Sequence, residues 1–317
     1  MYIISLTTIP KRKDMFLKTL PYILQQKYAE KICINLDNNL SDEDYEFYDK
    51  IKDQDSRIEI NKECDPKWRS ANKLLPTIKK YPNDVIITMD DDLSYDKDCV
   101  KELVEMYERF SDCIIAHEIN PVVCKDGKLI YIDDMDIKLK QKEYGKYLSH
   151  SCLFPPHTFD DTDVFDYDKM MKLTGGTHDE LWFWEQSVLK GIKVIGLDLT
   201  LTMVIDSEIK HGENEYQLTN INNKPEKVAE YNRLFNEEYH DKIMNLLNNK
   251  NTYIEFFVNR SNVLTYMFAM QYLKNLYDGF KLRFYLLDDL KKSHICFLQS
   301  YMKRYGINNA EMYLLRS

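Results

Sequence analysis

The feature that most constrains this chain is the run Ile86-Ile87-Thr88-Met89-Asp90-Asp91-Asp92. Residues 84–89 (DVIITM) are nearly all apolar, the pattern of a central strand covered on both faces of a parallel sheet. The run stops abruptly on three consecutive carboxylates. In open α/β sheets, ligands bind at the carboxyl ends of the strands. Three adjacent acids repel one another unless a cation neutralises them. Hard carboxylate oxygens suit Mg²⁺ or Mn²⁺, which bind a few carboxylates together with substrate phosphates. The triplet therefore reads as a metal bridge to a diphosphate. The competing reading is a solvated acidic turn capping the next helix.

The flanking pattern supplies the rest of such a sheet. Residues 2–7 are β-rich and run into Thr-Thr-Ile-Pro. Residues 13–26 have helical spacing, with Phe16, Leu17, Leu20, Ile23 and Leu24 on one side. Residues 31–37 (KICINLD) are a second apolar strand ending on an acid, and 42–52 are charged and helical. Residues 57–60 are a third strand, 71–81 a helix with Leu74, Leu75 and Ile78 inward, and 100–110 another helix. The order β-α-β-α-β-α-β-α is that of an open α/β sheet. Beyond Cys113 the rhythm loosens. Short strands are expected at 114–117, 128–132, 193–197 and 199–205, and helices at 165–172 and 179–190. One long amphipathic helix is expected over 225–248. The rhythm then restarts as β-α-β-α-β, with strands at 253–258, 280–287 and 311–315 and helices at 262–276 and 290–305. A three-stranded unit this small is marginal alone. The expectation is a first domain over 1–250 and a partial or small α/β unit over 251–317, docked on the first or opening a longer multidomain chain.

Glycine is scarce, 9 in 317 residues, and no set of glycines has G-x-G-x-x-G or G-x-x-x-x-G-K spacing. Any bound phosphate must be held by something other than a Gly-rich loop. A formal net charge of -9 argues against general nucleic-acid binding, which needs a basic footprint. The seven cysteines include no C-x-x-C pair, so neither a zinc ribbon nor a redox motif is indicated. Scattered reduced thiols suit a cytoplasmic location. The apolar start precedes its Lys and Arg rather than following them, unlike a signal peptide. No apolar run reaches 18 residues, so no transmembrane helix is expected, and peripheral contact with the inner face of the cytoplasmic membrane stays open.

SLTTIPKR at 5–12, INLD at 34–37, ANKLLPTIKKYPNDVIITMDDDLSY at 71–95 and HDELWFW at 178–184 resemble bacterial GT-A glycosyltransferases, in a branch of capsule and surface-polysaccharide enzymes. The resemblance covers about residues 1–220. It implies a mostly parallel sheet flanked by helices, with an Asp-x-Asp motif binding metal and nucleotide diphosphate. Asp90 and Asp92 match the two acids of that motif and are the implied metal ligands, with Asp92 foremost. Asp90 and the intervening Asp91 are also implied donor contacts. Thr7 and Pro10 follow the first strand, where the family forms its nucleotide pocket, and Arg12 is placed to neutralise phosphate. Asp37 falls where an acid reads base or ribose, and Lys73 matches a lysine of this branch beside the nucleotide, although a plain helix-surface lysine fits as well.

His178-Asp179-Glu180 opens a helix after Gly175-Gly176, where the family places its acidic catalytic residue. An inverting transfer needs a carboxylate to take the acceptor hydroxyl's proton. Asp179 is the implied base, with Glu180 the alternative; the bland reading is that both acids favour a helix N-terminus. Trp182 and Trp184 are candidates for stacking on sugar or for core packing. His211 falls where many relatives supply a third metal ligand, and Lys210 is placed to face the departing phosphate. The expectation is a metal-dependent transferase using Mn²⁺ or Mg²⁺ and a nucleotide-diphosphate sugar, UDP-linked by family habit. It would act on a glycan acceptor in capsular or surface polysaccharide synthesis. The alternatives are an Asp-x-Asp phosphohydrolase with Asp90 as nucleophile, or a non-catalytic carbohydrate-binding module.

Overall fold

In the computed structural model, residues 1–120, 122–125, 127–131, 141–142, 145–197, 203–204, 222, 224–248, 253–258, 281–286, 290–304, 307 and 310–314 are described. The strands of the first region are β1 (Tyr2–Thr7), β2 (Lys31–Asp37), β3 (Ile58–Cys64), β4 (Val85–Met89), β5 (Ser94–Tyr95), β6 (Cys113–Ala116), β7 (Ile119–Asn120), β8 (Val122–Lys125) and β9 (Lys128–Tyr131). They continue as β10 (Gln141–Lys142), β11 (Lys146–Tyr147), β12 (Ser151–Phe154), β13 (Lys193–Gly196) and β14 (Met203–Val204). The central sheet has the order β10-β13-β6-β12-β4-β1-β2-β3. β4, β1, β2 and β3 run parallel, as the apolar runs predict. β12 is antiparallel to both β4 and β6, and β10 to β13, so the sheet is mixed, but its other strands, β13 and β6 included, all run the same way and it is mostly parallel as expected.

Alternation of side chains splits each central strand between two cores. Val85, Ile87 and Met89 of β4 enter one core with Ile4 and Leu6 of β1. That core is covered by α1 (Lys13–Leu24), α2 (Asp42–Lys52) and α4 (Cys99–Arg109), through Phe16, Leu20, Tyr48, Val100 and Leu103. Ile86 of β4 and Ile3 of β1 enter the other. There α3 (Leu75–Lys80), α5 (Tyr167–Thr174), α6 (Asp179–Leu189) and α7 (Pro225–Glu238) pack, through Leu75, Leu173, Phe183 and Phe235. The sheet is thus the middle layer of three.

Several expected boundaries move for identifiable reasons. The helix expected over 71–81 is a 3-10 segment, Pro66–Lys73, followed by the short α3. Pro76 sits in the first turn of α3 and fixes its start. The helix expected over 225–248 is two, α7 and α8 (His240–Asn248). The break lies at Tyr239, which is 4% exposed and whose hydroxyl donates to Asp163 Oδ2 at 2.9 Å. The strand β12 was not anticipated, because four residues buried on both sides carry no period to read. Of the strand expected at 199–205, only β14 is described.

The last region forms a separate parallel sheet of β15 (Tyr253–Val258), β16 (Lys281–Leu286) and β17 (Ala310–Leu314). α9 (Lys292–Arg304) buries Leu298 and Met302, and β16 buries Phe284 and Leu286. The helix expected at 262–276 lies outside the described residues. β15 runs beside β10, at the margin of the central sheet.

Candidate active site

The carboxyl ends of β1, β2 and β4 deliver Thr7, Asp37 and Asp90 to one edge of the sheet. The reversed direction of β12 brings its leading residues, Ser149 and His150, to the same edge, since Ser151 pairs with Met89. α6 opens there as well. Gly175 ends α5 in the left-handed region (φ 64), and Gly176 (φ 68) continues the turn that carries the chain into Asp179.

The segment Pro66–Lys73 (PKWRSANK) ties these ends together. Ser70 Oγ donates to Asp179 Oδ1 at 2.9 Å, and Asn72 Nδ2 donates to Asp37 Oδ1 at 3.0 Å. Lys73 Nζ lies 3.0 Å from Asp90 Oδ1 and 3.3 Å from Asp179 Oδ2. Lys73 is not a helix-surface lysine: it is 6% exposed. The turn that makes this possible includes Arg69 at φ 49, ψ -124, a non-glycine backbone conformation that costs about 1–3 kcal/mol.

The three acids of the triplet have different surroundings. Asp90 keeps a half-buried side chain, and its backbone N–H donates to Tyr95 Oη at 2.7 Å. That hydroxyl in turn donates to the His150 carbonyl at 2.8 Å. Asp91 is buried and accepts from Arg12 Nη1 at 2.7 Å, with Asp92 Oδ2 3.3 Å from the same nitrogen. Arg12 is therefore a partner of the acids before it is a partner of phosphate. Pro10 begins the 3-10 turn that ends on Arg12, and Thr7 Oγ1 donates to the Asn35 carbonyl at 2.8 Å.

Electrostatics separate the ionisable groups further. Burial works to raise the Asp90 carboxyl, but the charges of Lys73 and His150 outweigh it and hold the group below its ordinary value. Burial raises Asp91 despite Arg12, and raises Asp37 against the Asn72 hydrogen bond. Burial lowers the Lys73 ammonium, and the carboxylates of Asp179, Asp90 and Glu180 more than reverse this. Glu180 accepts from the Ser149 backbone N–H at 3.1 Å. Burial pushes its carboxyl up to about 7, with Lys146 and Lys73 opposing and Asp179 and Asp90 adding. His178 is buried and held well below its ordinary value by burial and by Lys146, so it is neutral.

Trp182 and Trp184 are fully buried core residues, so neither offers a face to a sugar. Lys210 and His211 lie outside the described residues. Among the described residues, no group of three or more His, Cys, Asp or Glu side chains gathers to hold a metal. Asp90 and Asp92 are the open pair, with side chains 28% and 20% exposed. Two half-open carboxylates fit a hard cation that takes its remaining ligands from phosphate and water, not one caged wholly by protein.

Sequence reasoning missed Ser70, Asn72, Tyr95, Ser149 and His150. Ser149 and His150 precede a strand, Tyr95 lies in one, and Ser70 and Asn72 lie in the 3-10 segment, so no shared local pattern singles them out.

Residues 8–155 match the model of a family described as glycosyl transferase family 2. No curated protein matches the chain. Among solved structures, the chain is similar to residues 1–349 of S. aureus TarS at 11% identity, covering 86% of this chain and 79% of that one, with a TM-score of 0.45. The same fragment in complex with UDP is similar at 8% identity over 64% of this chain and 59% of that one, with a TM-score of 0.42. The structure titled S. aureus TarS is similar at 10% identity over 97% of this chain, with a TM-score of 0.47, and this chain spans 53% of its length.

Proposed function

We propose, from the match of residues 8–155 to glycosyl transferase family 2, that the chain moves a sugar from a nucleotide-diphosphate donor to a glycan hydroxyl with inversion. The observation that carries this reading is the single ammonium of Lys73 on both Asp90 and Asp179. It joins the acid at the end of β4 to the acid that opens α6, as a one-step displacement requires of a donor site and a base.

The nucleotide is taken to lie over Thr7, Pro10 and Asp37, with a UDP-sugar as the proposed donor. Asp90 and Asp92 are the residues that would hold Mn²⁺ or Mg²⁺, with His211 as third ligand. When bound, such an ion stabilises the charge growing on the leaving diphosphate. Arg12 would add positive charge toward the same oxygens, and Lys210 is proposed as a second such cation from its place in the sequence alone. The acceptor oxygen attacks the anomeric carbon, the bond from that carbon to the diphosphate oxygen breaks, and Asp179 receives the acceptor's proton. Ser70 and Lys73 hold Asp179 by its two oxygens, which fixes the direction in which it accepts.

The proposed acceptor is a capsular or surface polysaccharide, met in the cytoplasm or at the inner face of its membrane. Among the described residues no helix is long and apolar enough to cross a membrane. The test is a screen of nucleotide sugars with Mn²⁺, reading released nucleotide. Release that depends on donor identity and is lost in Asp92→Ala, with the fold intact, supports the reading. Equal release without metal, or none from any donor, sinks it.

A further inference from the structure

Lys73 is a buried cation shared by more carboxylates than it can neutralise. Its side chain is 8% exposed, and it contacts Asp90 and Asp179 at 3.0 and 3.3 Å. Its own backbone is pinned, because its carbonyl accepts from Ser5 Oγ on β1. Both acids are pinned too. Tyr95 takes the backbone N–H of Asp90, and Ser70 donates to Asp179. Lys73 and Asp90 are thus held through backbone atoms and Asp179 through its carboxylate, and what can change with the least movement is the partition of one positive charge between the two acids. We propose that Lys73 is a positioning residue that competes with the divalent cation for Asp90 and is released to Asp179 when the donor complex forms, so that donor loading orients the base. This rests on the transferase reading.

The arrangement makes two signed predictions about metal binding. Without Lys73, Asp90 loses its resident competitor, so the cation binds tighter. Without the charge of Asp179, the ammonium belongs to Asp90 alone, so the cation binds more weakly. Linkage requires that the effects be reciprocal, and couplings of this kind span about 5–150-fold. A lysine that served the fold alone, without sharing its charge with Asp90, would leave the Mn²⁺ Kd unmoved.

The experiment is Mn²⁺ binding to the full chain without donor, followed by electron paramagnetic resonance of the free ion. Lys73→Met, nearly equal in length and uncharged, is expected to lower the Mn²⁺ Kd at least about fivefold while kcat falls. Asp179→Asn, nearly isosteric, is expected to raise the Kd by a few-fold. An unchanged or raised Kd in Lys73→Met overturns the proposal, as does an unchanged or lowered Kd in Asp179→Asn, or no Mn²⁺ binding to any form. If Lys73→Met fails to fold, Asp179→Asn decides alone. Opposite Kd shifts in a chain that transfers no sugar would leave the coupling standing and remove the transferase reading.

Discussion

Asp179 and Glu180 are adjacent in sequence and differ in what surrounds them. Asp179 is 5% exposed and held by Ser70 and Lys73. Glu180 leans on Ser149 and is pushed up to about 7 by burial. Pairs of acids set apart by environment take different roles. Asp179→Asn should lower kcat by about 10²–10⁴-fold while nucleotide affinity, measured calorimetrically, is retained. Glu180 bears on stability instead. Its folded carboxyl is raised from 4.5 to about 7, so the folded state holds the extra proton across that window. The associated stability is present below pH 4.5 and is lost as pH rises toward 7. Glu180→Gln should remove this slope, seen as a flatter Tm against pH between those values. The acids themselves were legible in the sequence, because a strand ending on carboxylates and a helix opening on them are local patterns. Lys73 was visible only as a candidate. Its burial depends on the turn at Arg69, and no neighbour in sequence announces a positive φ there. Trp182 and Trp184 were ambiguous for the opposite reason: α6 is buried nearly all round, so no face of it is free to read.

At the scale of elements, the contact between α7 and β9 is built from two asparagines. Asn232 accepts from the Tyr131 N–H at 2.9 Å and donates to the Tyr131 carbonyl at 2.9 Å. Asn236, one turn later, accepts from the Leu129 N–H at 2.9 Å and donates to the Leu129 carbonyl at 2.6 Å. The two side-chain amides stand in for a neighbouring strand. Only an amide offers both donor and acceptor at that spacing. Asn232→Ala or Asn236→Ala removes the side-chain partner of a buried backbone N–H and C=O, so each should lower unfolding free energy by about 1–3 kcal/mol in urea titrations. Asn232→Asp should cost at least as much, since a carboxylate cannot donate to Tyr131. The apolar spacing of 225–248 revealed the helix but not this use of it. The asparagines fall among polar positions, and their partner strand is about 100 residues away. β12 escaped notice by a similar route: its direction is set by pairing with β4 and β6, which local sequence does not encode.

For the whole molecule, the open sheet was legible because its central strands are apolar on both faces and end on chemistry. The glycine shortage was informative at this scale too. The acid edge of the sheet is assembled from side chains of several elements rather than from one backbone loop. Among the described residues, the two cores of the central sheet draw on none later than Leu247. The division proposed near residue 250 therefore predicts that a chain ending at Asn248 unfolds cooperatively and binds nucleotide as the longer chain does, measured by thermal denaturation and calorimetry. The same truncation has a second effect, which follows from β15 running beside β10. β10 is the outermost strand of an eight-stranded sheet, and a strand without a neighbour offers its free peptide groups to any other chain. The shortened protein should thus self-associate as its concentration rises, visible in sedimentation velocity, while the longer one sediments unchanged. On this account β15 acts as a solubility device, shielding a margin at which copies of the protein would otherwise stick together.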